Sequence, residues 1–183
     1  MTPNSEYKDG LVGDTHIAWV EQREGKRTVM LDGKQQGGVF EDVKWLTFNS
    51  DETHFAFTGK RAGGWIFVLD GQEKSPKYKT ITYLSFQPGE NSYAYCACQE
   101  KKCRLVVDGA ETGAEYEDIA YPQYSRDGKR IAFFGKREKK WIAVVDGKEL
   151  APELDGVANY WGFTRDAGRF YVAGRIKGGW TYI

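Results

Sequence analysis

Long apolar runs, histidine, cysteine and net charge are all scarce or missing in this chain of 183 residues, and each shortage removes a class of function. No stretch approaches the roughly 20 apolar residues that a spanning helix requires, and the start MTPNSEYKDG has no charged-then-apolar leader pattern. No membrane partner is expected. The 26 basic and 26 acidic residues cancel, which leaves no whole-chain field to hold a nucleic acid. His16 and His54 are too few for a zinc site, and no phosphate loop or nucleophile motif occurs, so no cofactor is called for. Cys96, Cys98 and Cys103 are too few and too clustered for a disulfide scaffold, and they leave the compartment undecided.

What the chain has in quantity is repetition. Asp-Gly closes an apolar run at Asp32-Gly33, Asp70-Gly71, Asp108-Gly109 and Asp146-Gly147, each aspartate 38 residues after the last. An alternating segment keeps step with it, anchored at Ile17, Phe55, Tyr93, Ile131 and Phe170. Period-two alternation predicts a strand. A second strand follows in each copy (WIFVLDG, CRLVVDG, WIAVVDG), then a short third segment anchored at Phe40, Tyr78, Tyr116 and Leu154. A further strand, WLTFN, YLSFQ, YPQYS or YWGFT, precedes the alternating one. Lettered in order A, B, C and D, four short antiparallel strands make one blade of a propeller, and Asp-Gly suits the tight C-to-D hairpin. The 40% hydrophobic and 15% aromatic content suffices for one globular domain over residues 1–183.

The segment count predicts how the ring closes. Tyr7 in EYKDG reads as a D strand with no C strand before it, the first A strand is shortened to about LVG, and WTYI reads as a C strand with no D strand after it. The fold class expected is an all-β, five-bladed β-propeller of four-stranded antiparallel blades. Its last blade takes strand D from the N-terminus, which seals two sheet edges. The stretch YSRDGKRIAFFGKREKKWIAVVDGKE, residues 124 to 149, resembles the WD-like repeat of TolB-like bacterial propeller proteins. The turn proline of that repeat is replaced by Arg126 or Arg165, and five blades are one fewer than the family's six. The resemblance implies a non-enzymatic binding scaffold, with a protein, a peptide or a small polar ligand as partner; a monomer is expected.

Two sets of repeated positions are candidates for binding. Trp45, Tyr83, Tyr121 and Tyr160 lie in strand A, which lines the channel of a propeller, and form either an aromatic rim able to stack on a sugar or an inter-blade packing layer. Lys60, Arg61, Lys136, Arg137 and Arg175 lie on the B-to-C loops, on the same face as the D-to-A connections. They form either a basic crown for an acidic protein surface or ordinary solvated hairpin tips. A glycoside hydrolase needs paired carboxylates in the channel, and the strand A segments contain none. Asp9, Asp42 and Asp118 at the D-to-A connection are the nearest candidates, with a turn or charge-pairing role as the alternative. Asp51, Asp127 and Asp166 read as turn residues. Cys98 and Cys103 face each other across a hairpin and can bond under oxidising conditions, although reduced packing thiols are the expectation.

Overall fold

A computed structural model describes residues 10–182, apart from the side chain of residue 159. Its nineteen strands form five antiparallel sheets that follow one another along the chain. The first holds β1 (Gly10–Val12), β2 (Ile17–Arg23), β3 (Lys26–Leu31) and β4 (Lys34–Phe40). The second holds β5 (Asp42–Phe48), β6 (Phe55–Arg61), β7 (Gly64–Leu69) and β8 (Gln72–Glu73); the third β9 (Thr80–Phe86), β10 (Tyr93–Gln99), β11 (Lys102–Val107) and β12 (Ala110–Tyr116). The fourth holds β13 (Asp118–Tyr124), β14 (Ile131–Arg137), β15 (Lys140–Val145) and β16 (Lys148–Leu154), and the fifth β17 (Gly156–Phe163), β18 (Phe170–Ile176) and β19 (Gly179–Tyr182). Sequence letters A to D thus map onto successive strands of each sheet. The shortened first A strand is β1. The segment around Tyr7, expected as the fourth strand of the fifth sheet, lies outside the described residues.

Each sheet packs on the next, so the middle strands are covered on both faces. In β6 the five residues Phe55 to Gly59 are all buried, and in β14 so are Ala132 to Gly135. This differs from a half-exposed alternating strand, because a sheet stacked between two others has no solvent face. Four apolar cores fill the gaps between successive sheets: Phe40 with Phe57 and Ile66, Phe67 with Tyr78 and Tyr95, Tyr116 with Phe133 and Ile142, and Leu154 with Phe134 and Val172. Three of them place the last anchor of one sheet, Phe40, Tyr116 or Leu154, on a glycine in strand B of the next. A Cβ at Gly59, Gly135 or Gly174 would lie within 2.7 Å of that side chain. In the third sheet the place is held by Ala97, and its partner Tyr78 lies beyond the short β8, joined only by a single bridge to Trp65. Pro76 lies in this interval and has no N–H to continue the ladder.

The recurring Asp-Gly pair does more than turn the chain. Asp and Gly both have positive φ, from 47° to 51° and from 74° to 81°, as a type I′ hairpin demands. The carboxylate also reaches across the sheet to the start of strand B. Its Oδ1 accepts from the backbone N–H of Ile17, Phe55, Tyr93 and Ile131 at 2.9 to 3.0 Å. Its Oδ2 meets His16 Nδ1, His54 Nδ1, Ser92 Oγ or Arg130 Nε, the residue just before. Only a carboxylate offers two acceptor oxygens to two donors at once, which explains aspartate in all four copies.

The A-to-B turns also tie neighbouring sheets together. Glu52 accepts hydrogen bonds from Thr15 N (2.9 Å), Thr15 Oγ1 (2.8 Å) and His16 N (3.0 Å), as well as from Asp14 N. These donors, led by the Thr15 and Asp14 amides, hold its carboxyl at about 2. A carboxyl depressed below its unfolded value of about 4.3 stabilises the fold above that value and loses this contribution as pH falls toward about 2. Glu52→Gln is therefore expected to destabilise at pH 7 and to close its gap to the parent between about pH 5 and 2. Melting temperatures across that range check it; a gap independent of pH would exclude the carboxylate as the cause.

Cys98 and Cys103 face each other in register on β10 and β11 and are joined as a disulfide, with Cα atoms 4.1 Å apart. This corrects the expectation of reduced thiols: direct opposition in a hairpin brings the two sulfurs within bonding reach. Cys96 remains a buried free thiol, its pKa raised by burial.

Candidate functional site

Strand A carries a bulge in four sheets. Two residues, Trp45-Leu46, Tyr83-Leu84 or Tyr121-Pro122, oppose a single residue of strand B. The first of each pair is a bulky aromatic held at left-handed φ: 58° at Trp45, 57° at Tyr83 and 55° at Tyr121. A side chain in that region costs about 1–3 kcal/mol and persists only where its surroundings impose it. Three successive sheets bear this cost at the same place, which turns the aromatic rings toward one another in a continuous ladder. Ring centroids lie 5.6 Å apart for Trp45–Tyr83, 5.6 Å for Tyr83–Tyr121 and 6.1 Å for Tyr121–Trp161.

The fourth member of this ladder is Trp161, where the repeat predicted Tyr160. In the fifth sheet the bulge holds three residues, 158 to 160, opposite Ala173. The extra residue that lengthens the last repeat from 38 to 39 is accommodated here. It hands the ladder position to Trp161 and sends Tyr160 outward, 63% exposed, against Tyr171 and Tyr182. The signal in the sequence was the change of spacing itself; what it could not show was the strand position that absorbs it. Trp45 forms the buried end of the ladder, 6% exposed, whereas Tyr121 is 46% exposed.

Beside the exposed end lies a cavity of about 410 Å³, lined by Tyr83, Ser85, Phe86, Pro88, Tyr121, Pro122, Gln123, Tyr124 and Trp161. None of these nine side chains is charged at neutral pH, and burial pushes the Tyr124 hydroxyl up to about 12. Such a site presents apolar ring faces with a few polar groups between them, the composition typical of small-molecule pockets.

The loop face is organised differently. Arg61 is ion-paired with Glu73 while its guanidinium lies 4.8 Å from the Phe40 ring centroid. Arg137 repeats the arrangement, donating to both oxygens of Glu149 at 2.7 and 3.2 Å and sitting 5.3 Å from the Tyr116 ring. The Tyr116 hydroxyl donates to the same carboxylate at 2.8 Å. Arg137 and then Tyr116 lower the pKa of Glu149, and Glu149 raises that of Arg137. Lys136 lies 5.5 Å from the Trp141 ring, Lys60 stands opposite Trp65 and Asp42 in register, and Arg175 opposite Gly156 and Trp180. A nearby groove of about 750 Å³ mixes Lys101, Lys136 and Lys139 with Glu117, Asp118 and Glu138. Acidic neighbours thus interrupt the charge of the crown positions.

The other candidates find local partners. Asp51, Asp127 and Asp166 accept from Thr53 Oγ1, Ser125 Oγ and Thr164 Oγ1 at 2.6 to 2.7 Å within their own turns. Asp42 and Asp118 are the first residues of β5 and β13, which start strand A three residues earlier than the sequence reading placed it. Asp42 pairs with Arg27, and Asp118 lines the mixed-charge groove, so the two carboxylates share no cavity among the described residues; Asp9 lies outside them. His16 and His54 each bind the aspartate of their own sheet, and among the described residues no three His, Cys, Asp or Glu side chains gather as a metal site.

No family model and no curated protein matches the chain. Solved structures do. The β-propeller domain of the Trilobed protease from Pyrococcus furiosus superposes with a TM-score of 0.61 at 12% identity, over 93% of this chain and 63% of that one. TolB from Acinetobacter baumannii gives 0.46 at 12% identity, over 73% of this chain and 39% of that one. A putative 6-phosphogluconolactonase from Bacteroides uniformis gives 0.40 at 11%, over 94% and 68%. The chain therefore spans under two thirds of the length of the first two. The likeness to the protease domain, together with the stacked four-stranded sheets, assigns this chain the β-propeller fold.

Proposed function

We propose that this chain is a non-enzymatic binding scaffold that takes a small, uncharged ligand with a flat apolar face in its aromatic-lined channel. One observation carries the reading. Trp45, Tyr83 and Tyr121 hold left-handed backbone conformations at equivalent places, and the rings so displayed border a cavity with no charged lining residue. Strain of this kind concentrates at functional sites because packing must be organised to maintain it. Recognition of an acidic protein through Lys60, Arg61, Lys136, Arg137 and Arg175 has weaker support, since Arg61 and Arg137 already neutralise Glu73 and Glu149. Ligand-observed NMR with uncharged and acidic fragments tests the choice. Saturation transfer to uncharged flat fragments, lost in Tyr121→Ala, is the expected result; binding confined to acidic fragments and unaffected by Tyr121→Ala would favour the loop face.

A channel of this kind works best in a closed ring, and the reading takes residues 1–9 to supply the missing strand beside β19. The repeat supports this register. Phe40, Tyr78, Tyr116 and Leu154 stand opposite Arg27, Trp65, Cys103 and Trp141, and the next position in that series is Trp180, which is 64% exposed. Tyr7 is the residue that would face it. Arg23 occupies the place held by Arg61 and Arg137 in later sheets, its side chain is 87% exposed, and the reading assigns it the Tyr7 ring as the counterpart of Phe40 and Tyr116.

A further inference from the structure

We infer that the channel cavity accepts a neutral hexopyranose ring, a conclusion that rests on the ligand-binding reading above and narrows it to a chemical class. The first argument is charge. The nine lining residues supply no cation to an anionic ligand and no carboxylate to a cationic one. A charged ligand would lose its hydration there without a compensating ion.

The second argument is the tilt of the rings. Neighbouring members of the ladder are inclined at 42°, 58° and 41°, so no two present parallel faces. A planar heteroaromatic ligand therefore finds no pair of neighbouring parallel faces to lie between. A pyranose needs a single platform. Its axial C–H groups give it an apolar face to lay on that platform, while its equatorial hydroxyls radiate from the edge and need partners around the rim. Tyr121, 46% exposed, offers the platform, with Trp161 tilted beside it.

The third argument is the polar complement. The Ser85 hydroxyl and the Gln123 amide both line the cavity, and neither side chain has a hydrogen-bond partner among the described residues. Together they offer donors and acceptors at once, which is what a sugar hydroxyl, itself both donor and acceptor, requires. By contrast, the recurring aspartates of the Asp-Gly latches and the arginines of the Arg–Glu pairs are engaged. A cavity of about 410 Å³ accommodates one such ring with bridging waters.

The test is saturation-transfer NMR on the full chain with methyl glucoside, methyl galactoside, glucuronate and indole as probes. The expected result is transfer to the C–H protons of one face of a neutral glycoside, with binding weakened roughly tenfold by Tyr121→Ala and by Gln123→Ala. Glucuronate should bind more weakly than the neutral glycosides. Tyr121-dependent binding of indole alone would overturn the sugar assignment and leave the scaffold reading standing. Glycoside binding unchanged in both variants would overturn the assignment to this cavity. Absence of Tyr121-dependent binding for every probe would overturn both readings. Circular dichroism melting of the variants, both altered at exposed side chains, separates loss of binding from loss of fold.

Discussion

Removing residues 1–9 is expected to destabilise the protein by about 3 kcal/mol or more, the scale of deleting one well-buried aromatic anchor. The size follows from what the equivalent anchors do. Phe40 and Tyr116 are 1% and 3% exposed, each wedged against strand B of the following sheet and covered by an arginine. At the fifth sheet that cover is missing among the described residues, and Trp180 and Tyr182 stand 64% and 75% exposed. At the first sheet Ile17 is 47% exposed, whereas Phe55, its counterpart one repeat on, is 1% exposed. If residues 1–9 close the ring, Tyr7→Ala should reproduce most of the loss, while substitutions at Thr2 or Asn4 should not. Urea denaturation of the parent and these variants checks it. Truncation without effect would overturn closure of the ring by this segment.

Gly135→Ala is expected to cost about 2–3 kcal/mol, a large effect for one methyl group. The added Cβ would lie 2.3 Å from Tyr116 Cδ1 and 2.5 Å from Cε1. That ring cannot swing aside: its hydroxyl is bonded to Glu149, Arg137 covers it, and Phe133 meets its edge at 5.8 Å. The two sheets would have to separate. Position 97 supplies the control, since alanine is already present there and its partner Tyr78 sits in an irregular segment. Ala97→Gly should therefore cost only about 1 kcal/mol, the entropic penalty of glycine in a strand. Thermal unfolding of the two variants checks the contrast; equal losses would show that backbone freedom, rather than the wedged ring, governs this layer.

These two cases mark what each level of information decides. The amino-acid sequence by itself determined the repeat, the order of strands within each sheet and the Asp-Gly turns. All of these are local, and each sheet restates them, so one period of alternation and turn chemistry suffices. It also placed Trp45, Tyr83 and Tyr121 at a common position, since spacing of 38 carries a side chain to the same point of the next sheet. The tertiary structure alone decided where the one extra residue of the last repeat is absorbed, and so whether Tyr160 or Trp161 joins the aromatic ladder. Inserting a residue in a bulge reverses the faces of the residues beside it, and the bulge is formed by pairing with another strand. Packing between sheets decided that Arg61 and Arg137 lie on the rings of the preceding sheet, and pairing within a sheet decided that the hairpin aspartates bind the start of strand B and that Cys98 and Cys103, already opposite each other in the sequence reading, are bonded. Each of these depends on the distance and orientation of a partner 5 to 21 residues away, set by the stacking and register of whole sheets rather than by any local pattern.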